Sequence, residues 1–171
     1  MTTHYTILAL ADGTLAELRT RDDAGAPPRA VTDTEGGTPL RCCLRRSEPD
    51  ETLALVSYAP LRRWARETGA DPGPYDEVGP VFIHPADCGG WTDSPNGAYP
   101  DALRGARRVL RAYSAEGRIL GGLLVEEGRK DAPTIEESLT RLYADPLVAA
   151  VHVRAVEYGC FHAETRRSTT R

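Results

Sequence analysis

The sequence predicts a single α+β domain, a mostly antiparallel sheet with a few helices packed on one face. The chain has 171 residues, a length that suits one domain with its own core. Short β-branched and aromatic runs alternate with turn-forming segments, and the sequence contains 16 Gly and 13 Pro. In the last third a hairpin, a helix and a strand follow one another, an order typical of a two-layer α+β arrangement.

The first half of the chain predicts three strands and one helix. Residues 5–10 are apolar and β-leaning, residues 51–58 form a second apolar run, and residues 81–83 close at a proline, as a short buried strand would. Residues 60–68 are expected to form a short helix, because a proline suits the first helical turn and Gly69 can end the helix.

The second half predicts three more strands and two helices. In order, we expect a turn at residues 93–97, a short helix at 99–106, strands at 108–113 and 119–125, a helix from 135, and a strand at 148–155. The helix from 135 has the strongest signal, because Thr134 and Glu137 have the spacing of a capping box and an apolar face follows them.

Two segments are predicted to lack regular structure. Residues 20–39 are rich in Gly, Pro and Asp and contain almost no large apolar residue, so we expect a long loop. Residues 164–171 are polar and are expected to form a frayed tail.

Composition excludes several classes of function. The formal net charge of -4 and a pI near 5.6 argue against a nucleic-acid-binding protein, which would present a basic face. The N-terminal segment has too few apolar residues for a signal peptide or a membrane span, so we expect a cytoplasmic protein with free thiols and no membrane partner. Lys130 is the only lysine among 21 basic residues, and this arginine bias indicates a GC-rich bacterial genome.

Several short motifs resemble one bacterial family. They are Arg41-Cys42 with Leu44, residues 79–84 (GPVFIH), Tyr99-Pro100 with Leu103-Arg104, residues 111–113 (RAY), and residues 151–154 (VHVR) followed by Gly159-Cys160. In order and spacing these motifs resemble the bacterial domain-of-unknown-function family number 1203. The resemblance covers about residues 40 to 165. It implies a small single-domain protein and carries over no activity.

Thiol and imidazole groups form the first candidate site. Cys88 or Cys160 could act with His84 or His152, because an imidazole beside a thiol favours the nucleophilic thiolate. We expect His84 and His152 to approach one another, since both lie on strands of one small sheet. The alternative is that His152 and Cys160 are core residues.

The same residues could instead bind a metal. His84 and Cys88, with His152, Cys160 or His162, offer donors that suit zinc. However, the four cysteines lack the paired spacing of a zinc ribbon, so we expect no bound metal and no other cofactor.

An arginine site for an anion is the third candidate. Arg41, Arg104, Arg111 and Arg154 fall in the family-like stretches, and a guanidinium can grip a carboxylate or phosphate with two hydrogen bonds. Arg154 is the strongest candidate, because it shares a strand face with His152.

Together these observations predict a protein that binds a small polar or carboxylated metabolite. We expect a cofactor-independent acid–base enzyme that catalyses a rearrangement, cyclisation or isomerisation. The catalytic groups are predicted to be His84, His152 and Cys160, and the ligand contacts Arg154, Arg41, Arg104, Tyr113 and Cys88. The alternatives are a non-catalytic interaction protein that forms a homodimer through an edge strand and a His/Cys zinc-binding protein.

Overall fold

The structure is a computed structural model that describes residues 5–92, 97–105 and 107–168. The strands of this part are β1 (Tyr5–Leu8), β2 (Arg29–Asp33), β3 (Glu51–Tyr58), β4 (Gly79–Ile83), β5 (Arg108–Tyr113), β6 (Ile119–Val125), β7 (Ala150–Ala155) and β8 (Phe161–Arg167). Its α-helices are α1 (Asp12–Leu18), α2 (Pro60–Thr68) and α3 (Ile135–Tyr143). These elements confirm the predicted α+β class.

The strands form two antiparallel sheets. One has five strands in the order β1-β8-β7-β5-β6, and the other has three in the order β2-β3-β4. One apolar cluster packs α3 against the five-stranded sheet. A second cluster packs α1 against the three-stranded sheet and includes Phe161, the first residue of β8. The functional candidates described below surround this second cluster.

Helix ends match the local sequence signals. The Thr134 hydroxyl accepts a hydrogen bond from the Glu137 backbone N–H at 3.2 Å, and the Glu137 carboxylate accepts one from the Thr134 N–H at 2.8 Å. This is the predicted capping box. Helix α2 ends at Gly69, whose φ of 76° is in the left-handed region that glycine adopts without strain.

The predicted loop at 20–39 contains a strand. Residues 29–33 form β2, which pairs along its length with β3, and Val31 lies opposite Leu53. The prediction of a structureless loop was therefore wrong for this segment. An edge strand needs backbone pairing more than apolar side chains, so a polar composition hid it.

The predicted frayed tail is also corrected. Residues 164–167 belong to β8, which lies between β1 and β7, and Glu164 and Thr165 are buried. Their polar side chains predicted exposure to solvent, but hydrogen bonds and contacts between charged groups stabilise them inside the sheet. Residues 169–171 lie outside the described part.

Smaller differences concern element bounds. The strand expected at 148–155 begins at Ala150, and the helix expected at 99–106 is a single 3-10 turn, Asp101–Leu103. Ala106 and most of the turn expected at 93–97 lie outside the described residues.

Two observations bear on membranes and partners. None of the helices in the described part of the chain combines the length and apolar character needed to cross a membrane. Strand β6 lies at a sheet edge and exposes Leu120 and Leu124. The homodimer through an edge strand stays a prediction.

Candidate functional site

A tight turn brings two adjacent cysteines to the end of β4. The Leu44 N–H donates to the Leu40 carbonyl at 3.0 Å, and Leu44 adopts a φ of 52°. The Arg41 N–H donates to the Phe82 carbonyl at 3.0 Å, which ties the turn to β4. Because His84 follows β4 directly, this pairing places Cys42 and Cys43 beside it.

Four potential metal ligands meet at this point. The ligand atoms of Cys42, Cys43, His84 and Cys88 all lie within 4.8 Å of one another. The Cys42 Sγ is 3.9 Å from the Cys43 Sγ and 3.3 Å from the His84 Nδ1, and the Cys43 Sγ is 3.8 Å from the same nitrogen. The cysteines are free, and Cys42 and Cys43 are buried.

These separations suit a tetrahedral metal. With Zn–S bonds of about 2.3 Å and Zn–N bonds of about 2.0 Å, two ligand sulfurs lie roughly 3.8 Å apart and a sulfur and a nitrogen roughly 3.5 Å apart. The sequence offered no recognisable ligand spacing, whereas the fold brings these four side chains together; the expectation of no bound metal stays a prediction. Residues about 40 positions apart in sequence supply the donors, so no short spacing could reveal the set.

A carboxylate orients the imidazole of His84. The His84 Nε2 lies 2.8 Å from the Glu51 Oε1, and because a carboxylate only accepts, Nε2 carries the proton. The Nδ1 lone pair then faces the thiols. A hydrogen bond from the Glu48 backbone N–H and the contact with His84 lower the pKa of Glu51, so the carboxylate stays ionised. A carboxylate behind a ligand histidine is the usual arrangement of a protein metal site.

The two adjacent thiols differ in acidity. A hydrogen bond from the Cys42 thiol, together with Arg45, lowers the pKa of Cys43 to about 5, against the opposing effect of burial. That hydrogen bond and burial raise the pKa of Cys42. The Cys42 Sγ also accepts the His84 backbone N–H at 3.2 Å. Cys43 is therefore the more nucleophilic sulfur and the readier metal ligand at neutral pH.

Two arginines hold the loop that carries Cys88. Arg19, at the end of α1, donates to the carbonyls of His84 at 3.1 Å and Ala86 at 2.7 Å. Arg45 donates to the Cys88 carbonyl at 3.4 Å. These contacts fix the backbone on both sides of the His84 to Cys88 segment, so the ligand atoms are placed before any metal binds.

His152 lies in a different environment. Its side chain is fully buried in β7, its Nε2 is 2.9 Å from the Glu164 Oε2, and its ring packs on Tyr113 and Phe161. Although burial raises it, the contacts with His152 and Arg166 hold the pKa of Glu164 below its usual range. His84 follows β4 of the three-stranded sheet, whereas His152 lies in β7 of the five-stranded sheet, and their hydrogen-bond partners differ. The joint site of His84 and His152 stays a prediction.

Arg154 and Cys160 do meet, at a pocket of about 230 Å³. Glu77 enters the same pocket, and its carboxylate lies 3.3 Å from the Arg154 Nη2 and 2.9 Å from the Arg111 Nη1. Tyr113 lies buried against His152 and outside the pocket lining. This pocket therefore unites one predicted ligand contact with one predicted catalytic thiol.

The remaining predicted contacts are placed elsewhere. Arg104 forms ion pairs with Glu136, Glu127 and Asp101, so carboxylates of the chain itself occupy its guanidinium. Arg41 is buried, and its Nε donates to the Phe161 carbonyl at 2.7 Å. Sequence reasoning missed Cys42 and Cys43 as site residues. Their adjacency in a family-like stretch beside a histidine-bearing strand was the available signal.

Comparison with known proteins gives one match. Residues 37–167, more than half of the chain, match the family described as "Protein of unknown function (DUF1203)". No curated protein and no solved structure matches the chain. The matched range includes all four candidate metal ligands and the Arg154 pocket. The predicted resemblance is confirmed, and the chain belongs to the DUF1203 family.

Proposed function

We propose that this protein binds zinc through Cys42, Cys43, His84 and Cys88. The observation that carries the proposal is the convergence of four soft donor atoms within 4.8 Å of one another. Three thiolates and one imidazole form a donor set that zinc prefers over calcium or magnesium, which take oxygen ligands. The proposal replaces the expectation of no metal.

The proposed role of the zinc is structural. Four protein donors fill a tetrahedral shell and leave no position open for water or substrate. The ligands come from the turn between β2 and β3 and from the loop that follows β4, so the metal would join these two segments. Glu51 would hold the imidazole in the tautomer that presents Nδ1.

Metal content tests the proposal directly. We expect protein purified without chelator to contain about one zinc per chain by elemental analysis, because the donors are preassembled. Cys88→Ser is expected to lower the zinc content severalfold, since a neutral hydroxyl is a much weaker ligand than a thiolate. Cys160→Ser is the matched control, because Cys160 lies outside the cluster, and its zinc content should equal that of the wild type.

Cobalt substitution separates metal binding from thiol chemistry. Cobalt(II) in a tetrahedral thiolate site gives intense visible and charge-transfer bands, which Cys88→Ser should weaken and Cys160→Ser should preserve. Wild-type protein that binds neither zinc nor cobalt, while Cys43 reacts rapidly with iodoacetamide, would contradict the proposal. That result would assign the cluster to a nucleophilic thiol, which the lowered pKa of Cys43 favours as the other use of these residues.

A second candidate function is the binding of a small polar or carboxylated metabolite at the Arg154 pocket. Arg154 and Arg111 share the single carboxylate of Glu77, so a ligand carboxylate could compete for two guanidinium groups. No described residue lining this pocket is a histidine. For this reason we propose that the pocket binds a ligand. We do not propose the acid–base catalysis expected from the sequence at this pocket, because it needs a histidine.

Arg154→Ala tests this second candidate. We expect affinity for a bound carboxylate such as citrate to fall by about 2 to 5 kcal/mol, because the ligand loses a partly buried ionic donor. The melting temperature of the free protein should change little, since the pair with Glu77 is half exposed. Calorimetric titration and thermal melting measure the two effects.

Two further variants sharpen that test. Glu77→Gln should strengthen citrate binding, because it removes the internal competitor. Arg129→Ala, at an exposed ion pair remote from the pocket lining, should alter neither affinity nor stability. Equal citrate affinity in the wild type and in Arg154→Ala would remove the pocket from consideration.

A further inference from the structure

Two arginines are almost completely buried although their hydrogen-bond acceptors are neutral carbonyls. Arg41 is 3% exposed and Arg108 is 6% exposed. Arg41 donates to the carbonyls of Phe161 and Pro39, and Arg108 donates to those of Leu103 and Arg107. Neutral carbonyls thus accept these hydrogen bonds, and no carboxylate of the described residues forms an ion pair with either guanidinium.

Arg46 is an exposed arginine whose guanidinium also donates to backbone carbonyls. It donates to the Gly37 carbonyl at 2.6 Å and the Arg104 carbonyl at 3.3 Å. Within residues 5–92, 97–105 and 107–168, no carboxylate forms an ion pair with Arg41, Arg46 or Arg108. Buried charges in proteins are ordinarily paired, because removing a lone charge from water is costly.

Two more buried polar groups beside these arginines lack a partner. The Tyr99 hydroxyl donates to no acceptor among the described residues, and the group beside it is the Arg108 guanidinium, itself a donor. The His162 Nδ1 forms no hydrogen bond with the described residues, and both side chains are at most 4% exposed. Arg41 binds the carbonyl of Phe161, the residue before His162, and the charges of Arg41 and Arg108 act on the pKa of both groups. Unsatisfied polar groups are rare in protein interiors, so several together point to a bound partner such as an ion or water.

The protonation states fit an anionic ligand. Burial raises the pKa of Tyr99, so its hydroxyl keeps its proton and can donate a hydrogen bond. Burial and the nearby charges of Arg41 and Arg108 lower the pKa of His162 to about 3, so the imidazole is neutral and can donate from one nitrogen. The two guanidinium groups therefore supply positive charge, and Tyr99 and His162 supply neutral hydrogen-bond donors. No carboxylate of the described residues forms an ion pair with either guanidinium.

The backbone makes room for Arg108. A Cβ atom added at Gly105 would lie 2.6 Å from the Arg108 Nη1, closer than nonbonded atoms approach. A side chain at position 105 would displace the guanidinium from this position. The carbonyls of Leu103 and Arg107 then fix its orientation.

We propose that Arg41, Arg108, Tyr99 and His162 form a binding site for a small oxyanion, a carboxylate or phosphate group. Two guanidinium groups supply the charge, and the Tyr99 hydroxyl and the His162 Nδ1 supply the two donors that now lack acceptors. Arg46, which is exposed, adds its charge to those of Arg41 and Arg108 near His162. None of the four residues is a proposed zinc ligand or lines the Arg154 pocket.

Titration of the full-length protein with two series of anions tests the site. One series is inorganic phosphate and phosphoserine, and the other is acetate, succinate and citrate, with sodium chloride at equal ionic strength as the reference. We expect one series to raise the melting temperature saturably and to give a one-site calorimetric isotherm. The responding series identifies which oxyanion the site takes.

Tyr99→Phe is the decisive variant. Its hydroxyl has no acceptor among the described residues and lies beside the Arg108 guanidinium, so the stability of the free protein should change little, whereas anion affinity should fall about tenfold. Tyr143→Phe is the matched control, because the Tyr143 hydroxyl bonds to Thr165 at 2.8 Å in the core. It should lower stability and leave anion affinity intact. Because citrate is also proposed to bind at the Arg154 pocket, the titrations are repeated in Arg154→Ala, where the one-site isotherm and the effect of Tyr99→Phe should persist.

Three results would overturn the proposal. One is an absence of saturable binding in both series. Another is an anion affinity that is the same in Tyr99→Phe and the wild type. The third is binding that Arg154→Ala abolishes, which would assign the anion to the other pocket. A failure of zinc binding would leave all three readouts interpretable, because they do not depend on metal.

Discussion

Truncation after Ala163 is expected to yield no folded protein. Residues 164–167 provide every partner of β1, from Leu8 opposite Glu164 to Tyr5 opposite Arg167. They also cover one side of β7. Removing them leaves the buried Nε2 of His152 without its acceptor Glu164, and an unsatisfied buried polar group costs about 1 to 3 kcal/mol. Domains of this size are stable by only about 5 to 15 kcal/mol, so the combined loss exceeds the reserve.

Truncation after Ser168 is the control for this experiment. It removes three residues outside the described part and keeps all of β8. Circular dichroism and soluble yield should match those of the full chain. A cooperative melting transition in the protein that ends at Ala163 would show that β8 is dispensable and that the β1 pairing adds little.

Chelation is expected to produce the second large effect. If zinc is present at about 1,000 times its dissociation constant, its removal lowers the free energy of unfolding by about 4 kcal/mol, because only the folded chain assembles the four donors. Melting with and without EDTA measures the difference. Restoring zinc should restore the melting temperature.

Cys88→Ser provides the comparison for the chelation experiment. It should already have a lowered melting temperature, and EDTA should lower it little further. Cys160→Ser should respond to EDTA as the wild type does. An EDTA response of equal size in Cys88→Ser would mean that the stabilising metal binds elsewhere.

Local sequence signals predicted the central elements and failed where polar residues are buried. The capping box of α3, the proline and glycine that bound α2, and the apolar runs of β3 and β4 each depend on nearby residues alone. The second half of β8 depends on partners far away: Glu164 is buried because His152 and Arg166 satisfy its charge. Hydropathy cannot report such pairing, so the segment resembled a tail.

Only half of the candidate metal site could be predicted, because the other half depends on contacts between distant residues. His84 and Cys88 are four residues apart and follow a recognisable strand, so their proximity could be predicted. Cys42 and Cys43 join them only because the Leu40 segment pairs with Phe82. That contact belongs to the tertiary fold and leaves no periodic trace in sequence. Tyr99 and Arg108 were not predicted either, because their unusual feature is visible only in the fold: the described residues give the Tyr99 hydroxyl no acceptor and the Arg108 guanidinium no carboxylate.

The turn from Leu40 to Leu44 gives adjacent residues to two separate sites. Arg41 contributes to the oxyanion cluster, and Cys42, its neighbour, contributes to the zinc cluster. A ligand at either site restrains the same short stretch of backbone, so the two binding events share a free-energy coupling. Thermodynamic reciprocity then requires that zinc change the affinity for the anion by the same factor by which the anion changes the affinity for zinc. If both proposed ligands bind, metal supply would set how tightly the protein holds its anion.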